Sequence, residues 1–195
     1  MSVFKLYLDL GIDHIMDLRG YDHILFIITL CSVYSLREWK RVLILITAFT
    51  LGHSTTLVLA TLHIVTIDSG LIEFLIPMTI FITALFNSIF RQEEVSKLLH
   101  RLKYLAALFF GLIHGLGFSN YLQGLLGKES SIITPLFAFN IGIELGQLLI
   151  VSVVLTVTWL VVELIRAPRR EWNLILAGAA MGISLILMVD RIPNY

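Results

Sequence analysis

The chain has 195 residues, 57% of them hydrophobic and only 14% charged, with a mean hydropathy of +0.90, far from the roughly 25% charge of a soluble domain. Its net charge is zero and its pI about 7, so nothing in the charge balance suggests a nucleic-acid partner. The single Cys31 excludes an intramolecular disulfide and a thiolate-rich metal site. This is the composition of an integral membrane protein, with lipid around it and only nitrogen and oxygen ligands to offer a metal.

At the N-terminus, Asp9 and Asp13 interrupt what would have to be an uncharged signal-peptide core, and no cleavable signal is expected. Apolar Phe4, Leu8, Ile15 and Leu18 alternate with Asp9, Asp13 and Asp17 on another face, which predicts an amphipathic helix lying in the membrane interface over residues 1–19. A transmembrane bundle over residues 20–190 follows, the whole chain forming one domain. Its first span, HILFIITLCSVYSL, is short against the expected ~20 residues and is bounded by Arg37 and Glu38. Further spans are predicted from Arg41 to His63, Gly70 to Phe90 with a Pro77 that can kink it, and from Leu102 onward. One long tilted helix from Ile132 to Ile165 and a last span from Glu171 to Val189 complete the set. The expectation is therefore an all-α polytopic bundle of about six spans, preceded by the N-terminal helix.

Lys and Arg mark the cytoplasmic side. Ten of the fourteen fall in the Arg37–Arg41, Arg91–Lys103 and Arg166–Arg170 loops, and this alternates with six spans so that both termini face outward. The natural setting is the inner membrane of a bacterium, and a homo-oligomer is compatible with this reading.

Within the apolar segments lie groups that lipid does not tolerate unpaired. A central charge costs roughly 2.5–3.5 kcal/mol on insertion scales, so ionisable residues persist where they are paired, hydrated or used. His14, Asp22 and His23 stand at the mouth of the first span, His53 beside Ser54 in the second, Glu73 at the start of the third and His114 in the fourth. In the fifth, Asn140, Glu144 and Gln147 are spaced i, i+4, i+7 on one helical face. These groups share the outer half of the bundle and predict a metal centre. Its candidate ligands are His14, Asp22, His23, His53, His114 and Glu144, with Ser54, Glu73, Asn140 and Gln147 supporting them. Ni(II) and Zn(II) suit such donors. A hydrogen-bonded network that merely ties helices together is the bland alternative.

The stretches GIDHI and GYDHILF, TAFTLGHSTTL, IEFLIP, GLIHGLGF and FNIGIELGQ together resemble the HupE/UreJ membrane proteins, in particular the second branch of that family, over nearly the whole chain. The resemblance implies a compact helical bundle and metal handling, since the family is linked to nickel permeases serving hydrogenase and urease. In the better-characterised branch the His-to-Asp-His spacing is shorter than His14-x7-Asp22-His23, and a second His and a Glu follow the motif corresponding to GLIHGLGF. Two functional classes follow from the residues. One is a divalent-metal permease. The other is an intramembrane metal-dependent hydrolase acting on a lipid or lipid-linked substrate, with Glu144 or Asp22 as the base that activates metal-bound water. A structural or partner-binding bundle is the third.

Overall fold

A computed structural model describes residues 2–90, 97–127, 129 and 131–192. The described residues fold into seven α-helices: α1 (Val3–Met16), α2 (Asp22–Cys31), α3 (Trp39–Thr61), α4 (Ser69–Ile89), α5 (Lys97–Leu126), α6 (Ile133–Trp159) and α7 (Arg169–Asp190). Among them five segments are long and apolar enough to cross a membrane: Leu36–Thr61, Ser69–Ile89, Leu98–Leu126, Ile133–Leu164 and Arg169–Asp190. The fold is thus the expected all-helical membrane bundle. Trp159 passes without a break into a π-helical turn, Leu160–Leu164, so the long fifth apolar stretch is indeed one helix.

The first expected span differs. Its helix, α2, has only ten residues, about 15 Å at 1.5 Å per residue. Where it ends at Cys31, other helices supply partners to carbonyls in and just past its last turn. The Asn87 amide donates to Thr29 O at 2.8 Å, and Arg169 donates to Val33 O at 2.7 Å. Carbonyls freed at a helix end in an apolar surround need such partners. The other end of α2 carries Asp22, which pairs with Arg191 at the far end of α7. The short helix therefore joins the same two levels as α4 and α7, with long arginine side chains making up the difference in length.

Those two levels are chemically distinct. At one, Glu38 binds Arg41 at 2.7 Å and Arg169 at 2.8 Å, Ser32 donates to Asn173, and Arg170 reaches the carbonyls of Asn87 and Ser88. At the other, Asp22 meets Arg191, Gln123 donates to Ala60 O, Asn120 to Ser69, and the Tyr7 hydroxyl to Glu129. The described residues of the three basic loops thus gather at one end of the bundle, as the charge count predicts.

Two helix pairs pack backbone to backbone. Along α3 and α5, which run in the same direction, a Cβ added at Gly52, Gly111 or Gly115 would collide with the carbonyls of Leu108, Phe49 and His53. Small residues permit such approach where lipid supplies no hydrophobic drive for association. Along α1 and α6, also parallel, Gly11 faces the Phe139 carbonyl and Gly142 the Leu8 carbonyl in the same way. The amphipathic first helix therefore lays Tyr7, Gly11 and Ile15 lengthwise on α6, while Asp13 and Asp17 are exposed on its other side. In α4, Pro77 sits inside a continuous helix. Lacking an N–H, it leaves the carbonyl four residues earlier without its helical partner, and the Arg191 guanidinium comes within 3.5 Å of that Glu73 oxygen.

Candidate metal centre

Three helices bring one histidine each to a single point, and a fourth sets His114 beside one of them, His23. His14 comes from the last turn of α1, His23 from the first turn of α2, His53 from the middle of α3 and His114 from the middle of α5. The close α3–α5 packing holds the helices of His53 and His114 together, and the α1–α6 packing carries His14 in from the side. Ring centroids are 4.6 Å apart for His14 and His23, 5.2 Å for His23 and His114, 5.7 Å for His14 and His53, and 5.8 Å for His23 and His53. One ring nitrogen from each of His14, His23 and His53 lies within 4.8 Å of the other two.

The decisive feature is what these rings do not bond. His14 Nε2, His23 Nε2, both nitrogens of His53 and His114 Nδ1 are buried and have no hydrogen-bond partner. Burying a polar atom without a partner costs about 1–3 kcal/mol, and five such atoms at one point are hard to reconcile with a network that only ties helices together. A metal ion held between His14, His23 and His53 would take one such nitrogen from each ring, leaving the second His53 nitrogen and His114 Nδ1 to other partners. His114 Nε2 is held by Thr79 Oγ1 at 2.9 Å, which orients the ring and directs Nδ1 to the cluster, as a supporting hydrogen bond does for a metal-ligating imidazole. Phe118 lies 3.9 Å from His14, and Phe26, Phe49 and Phe139 complete an aromatic jacket 5–6 Å from the histidines. Imidazoles in a dry apolar shell fit Zn(II), Ni(II) and their neighbours in the first transition row.

The other sequence-predicted residues are placed apart from that group. Asp22 Oδ2 accepts from Arg191 Nη1 at 3.0 Å, while its buried Oδ1 has no partner. Glu144 accepts from Thr47 at 3.0 Å, Gln147 from Thr50 at 2.7 Å and Asn140 from Ser54 at 2.7 Å. The polar face of α6 is thus met by a row of α3 hydroxyls. The Glu73 side chain is exposed, and only its carbonyl approaches Arg191. Of the two remaining histidines, His63 is exposed beyond the end of α3 at φ 56°, and His100 lies at the basic end of α5. Sequence reasoning missed Thr79 and Arg191. Thr79 carried no signal, being one of many helical threonines. Arg191 had one: it is a cation directly after the last apolar span.

A helical membrane bundle with an intramembrane cluster of four histidines belongs to the class of metal-handling membrane proteins. The HupE / UreJ protein family matches residues 1–191, nearly the entire chain, and the protein is a member of it. No curated protein and no solved structure matches the chain.

Proposed function

We propose that this protein is a divalent transition-metal permease of the nickel type, in which His14, His23, His53 and His114 bind the travelling ion part way across the membrane. The observation that carries the reading is the convergence of His14, His23 and His53 from three helices, one ring nitrogen of each within 4.8 Å of the other two, among buried imidazole nitrogens that have no hydrogen-bond partner. Family membership supports it, since the family is associated with nickel and cobalt transport. A site near mid-bundle assembled from a short, interrupted helix and its neighbours is how transporters reach an ion from either side. By the charge asymmetry, the basic end faces the cytoplasm, both termini face outward and the chain resides in a bacterial inner membrane. Asp22 and Arg191 then stand at the outer approach.

The hydrolase alternative needs a carboxylate beside the metal to activate water. Among the described residues no carboxylate belongs to the tight ligand group, Glu144 is engaged by Thr47 and Asp22 by Arg191. These placements favour transport.

The test is uptake of 63Ni(II) into proteoliposomes beside elemental analysis of the purified protein. Wild type should bind about one ion and move it down an imposed gradient. His53→Ala should do neither. A metal-loaded protein that moves no divalent ion under any gradient would sink the permease reading.

A further inference from the structure

Glu144 poses a problem of its own. It stands twelve residues into the Ile133–Leu164 span, opposite Thr47, which stands twelve residues into the Leu36–Thr61 span. Among the described residues no ion pair includes it. An intramembrane carboxylate without a cation points to a functional site.

Oxygen-bearing side chains flank it. Thr47 and Thr50 lie one turn apart on α3, Glu144 and Gln147 one turn apart on α6, and they meet as Thr47–Glu144 at 3.0 Å and Thr50–Gln147 at 2.7 Å. Gln147 is 1% exposed and its Nε2 has no partner. Thr50 has a single hydroxyl proton and lies within hydrogen-bond reach of both Ile46 O and Gln147. If that proton goes to Ile46 O, the Gln147 amide turns over to donate to Thr50. Its carbonyl oxygen then occupies the unpartnered position and is free to ligate a cation. Carboxylate, amide carbonyl and two hydroxyls are hard donors, unlike the all-nitrogen cluster of histidines.

We propose that Glu144, Gln147, Thr47 and Thr50 form a second cation site between α3 and α6, and that it takes Na+. One carboxylate among neutral oxygens balances the single charge of a monovalent cation, and an all-oxygen donor set suits a small hard ion such as Na+. Ser54, which donates to Asn140, adjoins His53 in the chain and continues the row of α3 hydroxyls toward the histidines. Resting on the permease reading, the site makes Na+ the coupling ion.

The experiment has two arms. In the first, thermal midpoints of the purified protein are measured in NaCl against choline chloride at constant ionic strength. Na+ should raise the wild-type midpoint by a few degrees, and Glu144→Gln and Gln147→Leu should lose that rise while retaining the Ni(II) content of wild type. In the second, an inward Na+ gradient should accelerate Ni(II) uptake several-fold in wild type and leave Glu144→Gln unaffected. No Na+ effect on the wild-type midpoint, or an effect that persists in Glu144→Gln, overturns the proposal. Loss of Ni(II) from Glu144→Gln also overturns it, by placing Glu144 in the histidine site. A wild type stabilised by Na+ through Glu144 that moves no metal would uphold the Na+ site and remove the permease reading instead.

Discussion

His53 is the residue on which the centre turns: it is fully buried, both its ring nitrogens are unpartnered, and it lies within 6 Å of His14 and His23, centroid to centroid. His53→Ala should abolish stoichiometric metal binding, and His23→Ala should weaken it by at least tenfold, both read by isothermal titration with Ni(II). Thr79→Val removes the hydroxyl that holds His114 Nε2 and keeps the shape. A loss of about 10- to 100-fold in affinity is the expected scale for a partner of this kind. Acid should release the metal, because a protonated imidazole cannot ligate and binding expels protons. Binding should therefore be full at pH 8 and be lost on sufficient acidification, as protons displace the ion from the imidazoles. Metal that stays bound at every acid pH the fold survives would argue against histidine ligands. Four of the six histidines converge, and their burial in apolar segments made them legible as candidates. The carboxylates that the sequence placed beside them are held elsewhere, Asp22 by Arg191 and Glu144 by Thr47. Helical spacing puts residues on a common face but does not say which neighbour that face meets.

Two helix pairs hold the histidines in register, and each depends on backbones that touch. A side chain at Gly142 would press into the Leu8 carbonyl and push α1 off α6, taking His14 with it. Gly142→Val should thus lower Ni(II) affinity although no ligand is altered, with an overpacking cost of about 1–3 kcal/mol. Comparison with Gly178→Val checks this. Gly178 has nothing within 4 Å of its Cβ position, so that change should leave both the metal content and the thermal midpoint near wild type. Helix α2 carries the other lesson at this scale. Its sequence reads as a continuous apolar run to Leu36, yet the helix ends at Cys31, where Asn87 and Arg169 donate to the Thr29 and Val33 carbonyls. Those partners lie more than fifty residues away along the chain, out of reach of any local reading.

For the molecule as a whole, the basic loops gather at one end and Asp22, Arg191, Gln123 and Glu129 at the other, which supports the alternation expected from the charge count. The Gln92–Ser96 segment, a natural probe of sidedness, lies outside the described residues. With Cys31 replaced by Ser, a cysteine at Gln92 should react with an impermeant maleimide only after the cytoplasmic face is opened, and one at Ile64 should react in intact cells. The reverse pattern would invert the topology.

Composition and apolar run lengths were sufficient to establish a helical membrane protein, its long spans, the alternation of its charged loops and the histidines as its chemically costly residues, because each follows from transferring side chains and backbone into lipid, a property of local sequence. The tertiary structure alone decided which of those residues meet. It brought His14 to His23, His53 and His114 through glycine contacts between α1 and α6 and between α3 and α5, shortened α2, and turned Glu144 toward α3. Each of these is settled by packing between segments distant in the chain, where the shape of the partner surface outweighs any preference of the segment itself.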